Sequence, residues 1–271
     1  MQILLELRGE GKMAVKKTET KNTTAKAPAK KPAAKKTAPK SKPLDIVDYV
    51  VTHREYDIPE DEMYKVLCVG KYRKDGALHE HDGDNITRYN ERINELTGLY
   101  WIWKNTDSEY VGMSHYRRYF DEDGHRISKA KAEELLKDHD IILSDKYQLG
   151  HTVHNNIVGI EGYDWDAKAY KAFMDAIRKN QPEYEDAFVQ AFDSTEFHVC
   201  NLFITSRKIL NEYCEWLFSI ILEAADSVDV GNCDYYHRRI CGYYGEVMWS
   251  VWLRKQKYKV AEVPILRLEG R

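Results

Sequence analysis

From Leu44 onward the chain alternates short runs of β-branched and aromatic residues with longer runs in which apolar side chains recur every three or four positions. Residues 45–53, 109–116, 140–144 and 197–205 read as buried strands, and residues 258–263 as an edge strand ending before Pro264. Residues 93–103 read as one helix whose stripe is Ile93, Leu96, Leu99, Tyr100 and Trp103. Ser128 predicts an N-cap for a helix over 129–137, and further helices are expected over 165–178, 208–222 and 234–255, the last despite Gly242 and Gly245. Strands alternating with helices predict an α/β sandwich built on a mostly parallel central sheet. No internal repeat is visible.

The pattern stops at the N-terminus. Residues 14–43 are nearly all Lys, Ala, Thr and Pro, with no aromatic residue and Val15 as the only branched aliphatic. Such a segment buries too little apolar area to offset its ordering entropy, so residues 1–43 are expected to be a disordered tail before a domain over 44–271. The formal net charge of −3 conceals a division: residues 1–43 hold 12 Lys and Arg against 3 Glu, and the remainder 29 against 41 Asp and Glu, a balance of −12. A tail of this kind attracts polyanions, nucleic acid or anionic lipid, by charge alone, and otherwise serves as a solubilising extension. Back-translated, Arg8-Gly9-Glu10-Gly11-Lys12 resembles a purine-rich ribosome-binding site, which predicts translation from Met13. The intact mass of the native product checks this.

No apolar run reaches the roughly 18 residues a bilayer requires, and Ile3-Leu4-Leu5 is too short for a secretory signal, so a soluble cytoplasmic protein is expected. The cysteines, Cys68, Cys200, Cys214, Cys233 and Cys241, form no C-x-x-C pair and read as reduced core residues.

Chemistry concentrates in Glu109-Tyr110-Val111-Gly112-Met113-Ser114-His115-Tyr116-Arg117-Arg118-Tyr119-Phe120, where an apolar run ends in imidazole, phenol and guanidinium groups. Ligands bind at the carboxyl ends of strands in open α/β sheets, and a guanidinium holds a diphosphate through a planar fork of donors. Arg117 and Arg118, with His115, are therefore candidate diphosphate ligands, and strand alternation turns only one arginine toward any one site. Further on, Arg239, Gly242 and Glu246 fall at helical intervals, with glycine permitting close approach on their shared face. Glu246 is the preferred catalytic carboxylate, with Asp193 and Glu196 in reserve; an intrahelical ion pair with Arg239 is its structural alternative. His79-Glu80-His81-Asp82-Gly83-Asp84, with His151 and His154 as remote ligands, admits a weaker metallohydrolase reading, and a solvated loop fits it better. The 19 tyrosines and six tryptophans favour a groove that stacks on sugar rings only slightly.

An ordered series extends the central block across the chain: Val51-Thr52-His53, then Gly83-Asp84-Asn85-Ile86, then Asn94-Glu95-Leu96-Thr97 with the segment from Tyr100 to Asn105, and later Asn201-Leu202-Phe203-Ile204, the segment from Tyr213 to Phe218, and Arg239 with Gly242 and Glu246. From about Asp45 to the C-terminus this series resembles a bacterial family of capsular and exopolysaccharide biosynthesis proteins, long described as a domain of unknown function and grouped with GT-A glycosyltransferases. The resemblance implies a GT-A-like nucleotide-sugar-binding sandwich and a glycosyltransferase of the hexosyltransferase class. Its donor would be a nucleotide-diphosphate sugar, a UDP-sugar first among them, and its acceptor a growing or lipid-linked glycan in surface polysaccharide synthesis. It further implies that Thr52 and His53 line the base and ribose, that Asp84, Asn85 and Asn94 complete the donor pocket, and that Asn201 serves the donor or acceptor. Glu246 would act as general base if the enzyme inverts, or position the donor sugar if it retains.

Most GT-A enzymes carry an Asp-x-Asp motif that holds Mg²⁺ or Mn²⁺ on the diphosphate. Here Ser114-His115-Tyr116-Arg117-Arg118 stands in its place, so the arginines and His115 are expected to replace the cation, with Asp82 and Asp84 as metal ligands from another loop if one is used. The rival reading is a non-catalytic polyanion-binding protein acting through its basic tail, at nucleic acid or the inner face of the membrane.

Overall fold

A computed structural model describes residues 43–56, 62–157, 164–231, 233–235 and 237–268. The tail expected over 1–43 lies almost wholly outside the described residues, as does Met13. In chain order the strands are β1 Ile46–Thr52, β2 Tyr64–Cys68, β3 Leu78–His79, β4 Tyr110–His115, β5 Arg118–Glu122, β6 His125–Arg126, β7 Ile141–Ser144, β8 Lys146–Gln148, β9 Glu196–His198, β10 Phe203–Ser206, β11 Val260–Val263 and β12 Ile265–Arg267. The helices are α1 Asn90–Ile93, α2 Leu96–Asn105, α3 Lys129–Leu135, α4 Val153–Ile157, α5 Asp164–Asn180, α6 Glu185–Asp193, α7 Arg207–Ser227 and α8 Ile240–Leu253.

The main sheet runs β11-β7-β10-β4-β1-β2-β3, with β5 joining β4 to β12 and β6. Only β10 is antiparallel to its neighbours along this path, so the sheet is mostly parallel as the alternation of elements required. β1 is buried along its whole length, as a central parallel strand covered on both faces must be. Gly98 lets α2 lie close on the sheet: a Cβ there would stand 3.1 Å from Val69 and 3.3 Å from Val51. Trp249 of α8 stacks on Tyr213 of α7 with ring centroids 3.6 Å apart, locking two buried helices together. All five cysteines are free and buried. Ser128 caps α3 by accepting from the Lys131 N–H.

Three expected elements differ. The helix over 93–103 is two helices, because the backbone turns sharply at Asn94 (φ 55°, ψ −129°). The strand over 197–205 is broken between β9 and β10 by Cys200 (φ 68°) and Asn201 (φ 50°), both left-handed without being glycine. The helix over 234–255 starts only at Ile240, after a 3₁₀ turn at His237–Arg239. Left-handed backbone costs a non-glycine residue about 1–2 kcal/mol and persists where surrounding contacts over-determine it. All three departures meet in one place.

β1 also carries a buried carboxyl. Asp48 on β1 is fully buried, accepts the Ser114 hydroxyl at 2.7 Å, and has its second oxygen unpartnered; burial pushes its pKa up to about 7. Below the ordinary carboxylate range the group is protonated in both states, so it favours neither. As pH rises toward about 7 the unfolded chain ionises and the folded one resists, so folding loses stability across that window. Asp48→Asn is therefore expected to flatten the fall in melting temperature between about pH 5 and pH 8, and to melt above the parent at the upper end. Parallel pH-dependent melts of the parent and variant check this.

Candidate active site

The carboxyl ends of β1 and β4 are tied together where the Tyr116 N–H donates to the Val51 carbonyl at 3.2 Å. Tyr116 is buried, and its ring organises the cations around it. The Arg54 and Arg117 guanidiniums lie 5.2 and 5.1 Å from its centroid, and His53 meets its edge at 5.3 Å. Cation–π contact orients a guanidinium while leaving its in-plane donors for an anion. Thr52 shapes the turn after β1, its hydroxyl accepting from the Arg54 N–H at 3.3 Å and contacting the Arg54 carbonyl at 2.5 Å.

His53 is held below its ordinary pKa first by burial and then by Arg54, Arg239 and Arg117, with Glu95 opposing them. An uncharged imidazole beside three guanidiniums keeps the cationic field fixed near neutral pH. Arg239, at the start of α8, donates through Nε to Asn94 Oδ1 at 2.5 Å. Gly242 makes room for this contact, since a Cβ there would collide with Asn94 Nδ2. The sharp turn at Asn94 is held from behind. Its carbonyl accepts from Asn90 Nδ2 at 3.3 Å and from the Thr97 N–H at 3.2 Å, and Thr97 in turn reaches the buried Glu80 carboxylate at 2.5 Å.

On the other side stands the left-handed turn at Cys200 and Asn201. The Cys200 N–H donates to Glu246 Oε2 at 3.4 Å, and its carbonyl accepts from His115 Nε2 at 2.6 Å. Asn201 Nδ2 donates to Glu95 Oε1 at 3.1 Å, joining the turn to the Asn94 corner. Burial pushes the Cys200 thiol up to about 12, with Arg118 and Arg267 opposing and Glu246 and Glu95 reinforcing that rise, so the thiol is no nucleophile. Arg118 and Arg267 are cross-strand partners of β5 and β12. Like charges directly opposed on a sheet are unfavourable unless an anion or carboxylate lies between them.

Three buried polar atoms in this cluster lack a hydrogen-bond partner: Asn94 Nδ2, Asn201 Oδ1 and Arg117 Nε. Buried polar atoms are nearly always satisfied, so these three are open to a bond from a ligand or an ordered water.

The structure thus brings together His53, Asn94, His115, Arg117, Arg118, Asn201, Arg239 and Glu246, with Thr52 in the adjoining turn. It separates the others. Asp84 accepts from Tyr100 at 3.3 Å and its backbone is bound to Asn105, while Asn85 bonds within its own loop. Both therefore sit toward the C-terminal end of α2, about 15 Å along that helix from Glu95, and outside the cluster. Glu196 is engaged by Lys146 at 2.9 Å, and Asp193 ends α6 exposed, so neither reserve carboxylate is drawn in by a contact to the cluster. Sequence reasoning missed Glu95, Arg54, Arg267 and the support from Glu80. Glu95 stood within the quoted Asn94–Thr97 segment, yet nothing local distinguishes it from a surface glutamate at a helix start.

The histidines of the metallohydrolase reading are engaged elsewhere. His79 and His81 bond to the Lys74 and Gly70 carbonyls, His154 packs on Tyr170, and no group of three His, Cys, Asp or Glu among the described residues is arranged to hold an ion. Asp82 and Asp84 are part of no such group, and the end of β4 presents guanidiniums.

Comparisons with known proteins agree with this architecture. The model of a domain of unknown function, DUF4422, matches residues 48–257. No curated protein matches. Among solved structures, the apo form of the WbbM bifunctional glycosyltransferase is similar, with a TM-score of 0.72 and 25% identity over 83% of this chain. The chain spans 46% of that structure's chain, slightly less than half its length. The match covers β1 from Asp48, β4, the Cys200–Asn201 turn and α8, and on it the chain belongs to the DUF4422 family.

Proposed function

We propose that the chain is a GT-A-like glycosyltransferase of the hexosyltransferase class. It transfers a sugar from a nucleotide-diphosphate donor, a UDP-sugar, to a growing or lipid-linked glycan in bacterial capsular or exopolysaccharide synthesis at the cytoplasmic face of the membrane. The observation that carries this reading is the cluster at the carboxyl ends of β1 and β4, where the Arg54, Arg117 and Arg239 guanidiniums gather and three buried polar atoms lack partners. The similarity to a solved structure of a bifunctional glycosyltransferase supports it. Among the described residues no helix is long and apolar enough to cross a membrane.

In this reading the base and ribose lie against Thr52 and His53. The diphosphate lies on Arg117 and Arg239, and the sugar between Asn94, Asn201 and the carboxylates. As the glycosidic bond to phosphate breaks, negative charge grows on the departing diphosphate, and fixed guanidiniums stabilise it without reorganising. In this reading the guanidiniums of Arg117 and Arg239 meet the diphosphate charge in place of a divalent cation. A melting-temperature screen of the full chain against UDP, GDP, CDP and their sugars, with and without EDTA, tests the reading. A rise with at least one nucleoside diphosphate that survives EDTA is expected; no shift with any of them opposes it.

A further inference from the structure

We infer that Glu95 is the catalytic base of the transfer and that Glu246 positions the turn beside it. The inference rests on the glycosyl-transfer reading and assigns the roles of its two carboxylates.

Glu246 lies within α8, which is buried around nearly its whole circumference, and is 5% exposed. One of its oxygens accepts the Cys200 N–H. That bond is made to a left-handed residue, so the buried charge compensates a backbone conformation that the side chain of Cys200 opposes. A carboxylate so enclosed stabilises the turn and has little access to an acceptor hydroxyl.

Glu95 is placed differently. It precedes the first residue of α2, is only half-buried, and follows the residue that anchors Arg239. Its Oε1 is fixed by Asn201, a side chain 2% exposed. Its bond to Asn201 joins it to the broken strand, and its neighbour Asn94 holds Arg239, so it stands between the two halves of the cluster. Asn201 thus does for Glu95 what an orienting partner does for a general base. In the step assigned here, the acceptor oxygen forms its bond to the anomeric carbon while the carbon–oxygen bond to phosphate breaks. The electron pair leaves with the nucleoside diphosphate onto Arg117 and Arg239, and the hydroxyl proton passes to Glu95. A single displacement of this kind inverts the anomeric configuration.

The test uses the full chain with UDP-glucose and UDP-galactose, water serving as acceptor, and follows release of UDP. Glu95→Gln keeps the bond to Asn201 and is expected to lower kcat on the order of 100-fold, with the donor KM changed about threefold or less. Formate is expected to restore turnover in Glu95→Ala, a rescue that a purely structural role would not give. Glu246→Gln is expected to lower thermal stability and raise the donor KM, with no response to formate. Wild-type turnover in Glu95→Gln beside a formate-rescued collapse in Glu246→Ala would overturn the assignment alone. Absence of UDP release from the parent with both donors would overturn the glycosyl-transfer reading and the assignment with it.

Discussion

Replacing Arg117 or Arg239 with alanine is expected to weaken binding of a nucleoside diphosphate by about 1.5–3 kcal/mol each, the range for a hydrogen bond to a charged group, or roughly tenfold to 150-fold in Kd. The two act differently. Arg117 is oriented by the Tyr116 ring and has a buried Nε without a partner, so its loss removes a contact that the ligand completes. Arg239 is anchored on Asn94, so its loss also releases the corner that carries Glu95. Calorimetric titration with UDP and UMP separates these effects: the arginine contribution should appear with the diphosphate and shrink with the monophosphate. Equal losses for UDP and UMP, or none, would remove the arginines from the diphosphate site.

Gly242→Ala is expected to cost about 1–3 kcal/mol of stability, the usual penalty for a methyl group forced into filled space. The added Cβ would overlap the Asn94 amide and stand 3.3 Å from the Ile93 carbonyl carbon, which belongs to backbone and has little freedom to retreat. Asn94 must move, and Arg239 loses its anchor with it. A lowered melting temperature accompanied by a fall in UDP affinity similar to that of Arg239→Ala is the expected pair of results. Parent-like values for both would mean that the Asn94 corner does not position the cation.

Much of the frame was legible in the chain. The apolar and β-branched residues of Ile46–Thr52 read as a buried strand despite Asp48, and the cationic end of β4 stood out because it follows a short apolar run directly. The two bends that build the site were not legible. The apolar stripe Ile93, Leu96, Leu99 keeps helical spacing across Asn94, because α1 and α2 bury the same side, so periodicity reads straight through the break. The turn at Asn94 is set instead by Arg239 and Gly242, far away in sequence. Cys200 and Asn201 likewise adopt glycine-like backbone without glycine, held by Glu246 and His115 across the cluster. Local pattern carries no trace of such bonds. Glu95, poised where both bends meet, became a candidate only once they were in view, whereas Asp84 and Asn85 looked equally polar in sequence and lie at the wrong end of α2.

The most direct test is turnover itself. The full chain is incubated with a panel of UDP-, GDP- and CDP-sugars in EDTA, and free nucleoside diphosphate is measured beside the matched Arg117→Ala, Arg239→Ala variant. Release from at least one donor by the parent is expected, with loss of release in the variant. No release from any donor, or release that persists undiminished without both arginines, would contradict the reading.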